Sequence, residues 1–255
     1  MITIKTKDEI EILKEGGARH AHIWRQLADM VAPGASTLDL ENKARDLITE
    51  DGDTGSFLNY TPRGVKRPYP AVLCVSINDE IVHGIPNEKP RTLKEGDVVS
   101  LDLGLTHKGL ITDSAVTVAV GTISDENKKL MEYCKEALAL AIIQARGGNK
   151  VSDISRAIET YAEEYEVNLC EGLSGHGVGY GVHEDPFVPN VVDPSQKDIL
   201  KPGMVIAIEP MMTFGSPKTK AMPDHYTYKT KDGSVAVHFE HTVVITEGDP
   251  IILTK

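Results

Sequence analysis

Five residues with metal-ligand chemistry stand in separate, strongly patterned contexts: Asp102 in VVSLDLGL, Asp113 in GLITDSAV, His176 in SGHGVGYG, Glu209 in VIAIEP and Glu240 in VHFEHTVV. Four carboxylates and one imidazole carry a negative charge that two divalent cations would neutralise. Carboxylate-rich donors with few nitrogens suit a pair of Mn, Fe(II), Co or Zn ions, whereas an all-oxygen set would suit Mg or Ca. Paired metals clamp an attacking water oxygen and a polarised carbonyl, so the set points to a hydrolase.

Each placement has a plainer reading beside this one. Asp102 and Asp113 are symmetric in number about the His107–Lys108 bond, so a hairpin there sets them directly opposite, with Cβ atoms about 4.5–5.5 Å apart. Two acids on a sheet face are ordinarily solvent-exposed. These two, however, interrupt apolar strand segments, and a cation between them would relieve their repulsion. Glu209 ends the apolar run VIAIE, and Pro210 stops the ladder behind it. Around Glu240 the alternation puts Val237, Phe239, His241 and Val243 on one face, and His238, Glu240 and Thr242 on the other.

His176 sits among Gly175, Gly177, Gly179 and Gly181, which permit close approach to a ligand. The VHEDPFVP that follows does not open a helix, which excludes a dinucleotide-binding loop. His183 lies where an irregular turn returns a second imidazole to the same cleft. His83, in SINDEIVHGIP, follows a buried-type strand and precedes a Gly-Ile-Pro turn; taken alone, it reads as structural as readily as catalytic.

The elements that must position these residues recur in one order. Apolar periodicity predicts helices over 8–30 and 37–50, then strands over 56–60, 71–77, 98–105 and 110–120. Helices over 125–146 and 151–166 follow, then strands over 204–209, 225–229 and 235–245. Thr37 and Ser152 are the expected N-caps at two similar joints, each just before an Asp. The repetition implies two related halves, about 1–120 and 121–255. We expect them to form one domain over 1–255: an α+β fold whose curved antiparallel sheet carries helices on its outer face and the site in its cleft.

Composition narrows the classes. The chain has 255 residues, ample for a large core. Its formal net charge of −11 argues against a broad nucleic-acid footprint. No apolar run approaches the ~20 residues that span a bilayer, and the charged start MITIKTKDEIEILKEGG does not read as a signal peptide. Cys74, Cys134 and Cys170, with no CxxC spacing, suggest reduced thiols in a cytoplasmic protein.

Five segments together resemble the type I methionine aminopeptidases of the pita-bread metallopeptidase family M24: CVSINDEIVHGIP, GDVVSLDLGLTHKGLITDSA, SGHGVGYGVHEDP, GMVIAIEPM and FEHTVVIT. Their order and intervals agree over nearly the whole chain. Residues 177–239 leave no room for the helical insertion of the type II branch, and the short N-terminal segment resembles the simple bacterial form.

The resemblance implies a pita-bread fold and two divalent ions held by Asp102, Asp113, His176, Glu209 and Glu240. Asp113 and Glu240 would bridge the ions, and Asp102 would chelate one. His176 and Glu209 would complete the other, with Glu209 handling the proton of the attacking water. His83 would meet the scissile amide nitrogen and His183 the carbonyl oxygen. Tyr60, Tyr69, Cys74 and Tyr226 would join His83 and His183 in binding the substrate. The substrates implied are N-terminal methionyl peptides and nascent chains with a small second residue. They would be handled by a cytoplasmic monomer with transient ribosome contact, and with neither nucleic-acid specificity nor membrane association.

The chain departs from the family pattern around the methionine pocket. Phe57 and Ser174 stand where bacterial relatives often carry Cys, Val182 replaces a usual Phe, and Tyr226 stands near a usual Trp. Segment 61–70, with Arg63, Lys66 and Arg67, is longer than usual and reads either as a mobile surface loop or as a lid. Two alternatives stay open on the same fold: a proline-directed aminopeptidase or prolidase-like enzyme, and a metal-free peptide-binding module. A glycosidase would use two carboxylates but would leave the histidines without a role.

Overall fold

A computed structural model describes residues 2–50, 52–62 and 64–255. The first half runs α1 (Lys7–Met30), α2 (Thr37–Glu50), β1 (Thr54–Gly55), β2 (Leu73–Ile77), β3 (Glu80–Val82), β4 (Val98–His107) and β5 (Leu110–Ala119). The second runs α3 (Asp125–Gln144), α4 (Val151–Glu164), β6 (Asn168–Leu169), β7 (Ser174–Gly177), β8 (Glu184–Pro189), β9 (Val205–Ile208) and β10 (Met211–Thr213). It continues through β11 (Thr219–Ala221), β12 (Tyr228–Thr230), β13 (Ala236–His238), β14 (His241–Val244) and β15 (Ile251–Ile252). Among the described residues no helix is long and apolar enough to cross a membrane.

Each helix pair covers strands of its own half. Alternation along β4 sends Leu101, Leu103 and Leu105 into a core with Ile23, Trp24 and Leu27 of α1 and Leu40 and Ala44 of α2. The intervening Asp102 therefore faces away from the helices. A second core gathers Leu138, Ala141 and Ile142 of α3 and Ile154 and Ile158 of α4 under Ile206, Ile208 and Val243. Helix α1 opens with a capping box worth about 1 kcal/mol: Thr6 N donates to Glu9 Oε2 at 2.7 Å, and Glu9 N to Thr6 Oγ1 at 3.3 Å.

The antiparallel sheet is assembled from four ladders: β1-β4-β2 with β5 on β4, β13-β10-β6, β11-β12-β3, and β15-β14-β9-β7-β8. The two halves meet where β5 runs beside β14. There Glu240 N donates to Ala115 O at 3.0 Å, and Asp113 N and O both bond Thr242 Oγ1, at 2.8 and 2.6 Å. Ser114 Oγ donates to Glu240 O at 2.8 Å, and Thr117 Oγ1 to His238 O at 2.7 Å.

Several expected boundaries are corrected. The β4–β5 register pairs Asp102 with Ala115 and Gly104 with Asp113, so the two acids are diagonal neighbours on one face, not direct partners. The turn is the two-residue Lys108-Gly109, both at positive φ (48° and 82°), which matches strand twist and shifts the centre by one residue. Residues 56–60 form a turn after β1, with Asn59 at φ 64°. The strand expected over 225–229 begins only at Tyr228. Before it, the Asp224 carboxylate gathers the amides of Tyr226 and Thr227 into a turn.

The strand expected over 235–245 breaks at Phe239-Glu240, because β13 pairs with β10 whereas β14 pairs with β9. Thr37 and Ser152 lie inside their helices. Ser36 Oγ accepts from Leu38 N at 3.2 Å, while the Thr37 hydroxyl is drawn to the 86–91 loop, donating to Pro86 O and accepting from Arg91 N. At α4 the Asp153 carboxylate accepts from Lys150 N at 2.8 Å.

Because Gly109 sits in the left-handed region, Gly109→Ala should lower the unfolding free energy by roughly 1–2 kcal/mol. Gly109→Asn should cost clearly less, since Asn tolerates that conformation. Equal losses in chemical denaturation would contradict the turn assignment.

Candidate metal centre

All five ligand-type residues line one cleft. Asp102 and Asp113 come from the cleft face of the β4–β5 hairpin. Gly104, between them on that face, leaves room for the Phe57 ring, whose Cε1 would lie 2.7 Å from a Cβ at Gly104. His176 projects from β7 between β8 and β9. Glu209 and Glu240 occupy the points where ladders end, between β9 and β10 and between β13 and β14.

The glycines beside His176 serve its neighbours rather than a ligand. A Cβ on Gly175 would lie 2.3 Å from Ala207 O, and one on Gly177 2.2 Å from Asp185 O, so only glycine lets the three strands close up here.

Asp113, His176 and Glu240 each offer a ligand atom, all within 4.8 Å of one another. His176 Nε2 lies 3.4 Å from Glu209 Oε1 and 3.9 Å from Asp113 Oδ2. Its Nδ1 donates to Gly177 O at 2.9 Å, which leaves the Nε2 lone pair facing the acids. Burial pushes the His176 pKa down to about 3, with His183 reinforcing the effect, so the ring is neutral, as a ligand must be.

Burial also drives the carboxylates the other way. Asp102 is pushed up to about 7; Asp113, Glu209 and Glu240 lie well above the usual carboxylate range, and the mutual repulsion of the acids adds to burial at Asp113 and Glu240. Asp102 Oδ1, Asp113 Oδ1 and Glu240 Oε1 are buried with no hydrogen-bond partner among the described residues. Unpartnered oxygens on closely set acids are what a cation would satisfy, and the donor set fits divalent metals with mixed oxygen and nitrogen preference.

The remaining site residues expected from sequence also converge here. His83, at φ 60°, follows β3 with its ring edge-on to Tyr228 (6.2 Å between centroids). Burial lowers its pKa to about 4, so it too is neutral. His183 packs edge-on to His176 at 4.3 Å, and its Nδ1 lies 2.7 Å from the Tyr60 hydroxyl. Tyr69 and Tyr226 pack edge to face at 5.0 Å. Their hydroxyls are spent on backbone carbonyls, Tyr69 on Gly84 at 3.0 Å and Tyr226 on Tyr60 at 3.2 Å, which leaves ring carbon towards the cleft. Cys74, directly opposite Asp102 in the β2–β4 register, has its thiol pushed up by burial and stays protonated.

Phe57, Pro62, Val82, Leu173, Val182 and Met211 complete the apolar lining. Segment 61–70 is closed at its base by Tyr69 N to Tyr60 O and Asn59 N to Tyr69 O, both 2.9 Å, and Arg67 pairs with Glu88. Arg63 lies outside the described residues. Sequence reasoning passed over the small polar groups that clamp the ligand backbones: Ser114, Thr117, Thr242, and Asn190, whose Nδ2 donates to Glu209 O at 3.0 Å. It placed His238 on the same strand face as Glu240 but gave it no task.

The raised carboxylates have a testable consequence. Folded, metal-free protein holds these protons more tightly than the unfolded chain, whose acids titrate near 4. The carboxylates' contribution to its stability should therefore fall as pH rises from about 4 through 7, while the buried neutral histidines contribute in the opposite sense. A bound divalent ion removes that penalty, so added Mn(II) should raise the melting temperature far more at pH 8 than at pH 5. A pH-independent metal effect would contradict the buried-acid reading.

The comparisons agree with this geometry. The model of metallopeptidase family M24 matches residues 11–247. A methionine aminopeptidase of Aquifex aeolicus is 48% identical over all of this chain and 99% of its own length. The crystal structure of the Thermotoga maritima methionine aminopeptidase superposes with a TM-score of 0.94 at 38% identity, covering both chains completely. The Pyrococcus furiosus prolidase, at 24% identity and a TM-score of 0.77, shares the fold over 65% of its length. With the α+β pita-bread architecture of these neighbours and a family match spanning nearly its whole length, the chain belongs to metallopeptidase family M24.

Proposed function

We propose that this chain is a methionine aminopeptidase that removes N-terminal methionine from peptides and nascent proteins with a small second residue. One observation carries the reading: five ligand-type residues, two further histidines and a wall of tyrosine, cysteine and aliphatic carbon share a single cleft. We take residues 1–255 as one catalytic domain of two related halves. Asp102, Asp113, His176, Glu209 and Glu240 would hold two divalent ions drawn from Co, Mn, Fe(II) or Zn. Such ions supply Lewis acidity and lower the pKa of water.

The protein's own groups do the rest. Glu209, whose proton affinity burial raises, takes the proton of the attacking water and returns it to the leaving amine. His83 donates to the scissile nitrogen and His183 to the carbonyl oxygen as charge develops there. Tyr60 has a more specific task than lining the pocket. Its hydroxyl, donated to His183 Nδ1, leaves the ring proton on Nε2, the tautomer a donor requires. The rings of Tyr69 and Tyr226 with the Cys74 thiol offer a soft wall to a thioether. Phe57 and Val182 shape the same wall and set how much side chain it admits.

The same reading takes the substrates as nascent chains in the cytoplasm, processed by a monomer in transient contact with the ribosome. The buried free thiols Cys74, Cys134 and Cys170 suit a reducing compartment.

Metal-stripped protein titrated with Co, Mn, Fe(II) or Zn should release Met from Met-Ala-Ser, restored by about two equivalents or fewer. Preference for Ala-Pro-Ser would overturn the substrate assignment, and silence with every metal would overturn the catalytic one. Asp113→Ala should abolish both turnover and metal uptake in a folded protein. His183→Ala should lower kcat by about 10²–10³ while leaving metal affinity alone; an unchanged kcat removes its role.

A further inference from the structure

A fourth imidazole lies behind the ligand set, and the reaction outlined above leaves it without a task. His238 closes β13 and is 1% exposed. Its backbone is fixed from two sides. Its N–H donates to Thr117 Oγ1 at 3.0 Å, its carbonyl accepts from the same hydroxyl at 2.7 Å, and the residue stands opposite Met211 in the β10–β13 register. Neither ring nitrogen has a hydrogen-bond partner among the described residues, an expensive condition for a buried imidazole. Nε2 is instead directed at two carboxylates, 3.4 Å from Glu209 Oε2 and 3.9 Å from Glu240 Oε2.

Glu209 is thus flanked on both oxygens, by His176 Nε2 at 3.4 Å from Oε1 and by His238 from Oε2. The two acids that His238 approaches sit at breaks between ladders, outside the regular strands, although the Glu240 backbone keeps an isolated bridge to Ala115. A carboxylate that gives one oxygen to a metal needs a donor for the other if it is to keep its orientation.

We infer that His238 is a positioning residue: its Nε2–H ties the free oxygens of Glu209 and Glu240 together and holds both carboxylates in their metal-binding orientation. The inference rests on the metal-site reading above. His238 does not line the cleft, so it acts through the ligands and not on the substrate.

Calorimetric titration of the full chain with Mn(II), and visible absorption with Co(II), test this in wild type, His238→Leu and His238→Gln. The Leu variant should lose about 10–100-fold in metal affinity and show an altered Co(II) spectrum. The Gln variant, which keeps an N–H donor near the same place, should bind like wild type. Should the Leu variant fail to fold, His238→Asn, too short to reach Glu209, must show the same weakened affinity. Wild-type affinity and spectrum in the Leu or Asn variant would overturn the inference alone. A Gln variant as weak as Leu would also overturn it, in favour of direct ligation by the imidazole. Wild-type protein that takes up no metal would overturn the metal-site reading together with the inference.

Discussion

Four carboxylates packed into one buried cleft repel each other, and the rest of the structure is organised to keep them there. Two unit charges 4 Å apart cost about 4 kcal/mol at the effective dielectric near 20 that suits partly buried pairs. Burial adds its own penalty, visible in the raised proton affinity of Asp102, Asp113, Glu209 and Glu240. Only protons or cations relieve this strain, so the site is built to be occupied. The backbone around each acid is correspondingly clamped. Thr242 brackets the peptide of Asp113, Ser114 holds the carbonyl of Glu240, and Asn190 holds that of Glu209.

The two halves divide the work unequally. The first presents both aspartates on one rigid hairpin, whose leucines on the opposite face are locked under α1 and α2. The second presents His176 from β7, and Glu209 and Glu240 from the joints that follow β9 and β13. Two of these ligands stand at breaks, so their side chains leave the regular alternation and turn to the hairpin. The seam between β5 and β14 brings the sets into contact. An apolar wall closes one side, and the two cleft histidines stand beside the ligands in neutral form, ready to donate rather than to compete as cations.

Much of this was legible in the residues. The helix expected over about 37–50 matches α2 because its apolar period is clear, although its cap was misplaced by one residue onto Thr37. The candidate ligands stood out because Asp102 and Asp113 interrupt apolar strands and Glu209 ends one. The hairpin centre was misjudged by one residue, and the partner of Asp102 therefore by two, since numerical symmetry ignores that Lys108-Gly109 is the pair able to take positive φ. The break at Phe239-Glu240 left no mark, because alternation runs straight through it; a change of pairing partner, not a local breaker, imposes it. Ser114, Thr117 and Thr242 were invisible as clamps for a related reason, since only the register between distant strands gives a small hydroxyl its partner.

A crystal structure of the protein loaded with Mn(II), phased on the anomalous signal of the metal, tests the central claim most directly. We expect two anomalous peaks in the cleft, both within bonding distance of Asp113 and Glu240, with Asp102 on one and His176 and Glu209 on the other. Peaks elsewhere on the surface, or a cleft without metal density at saturating Mn(II), would contradict the account.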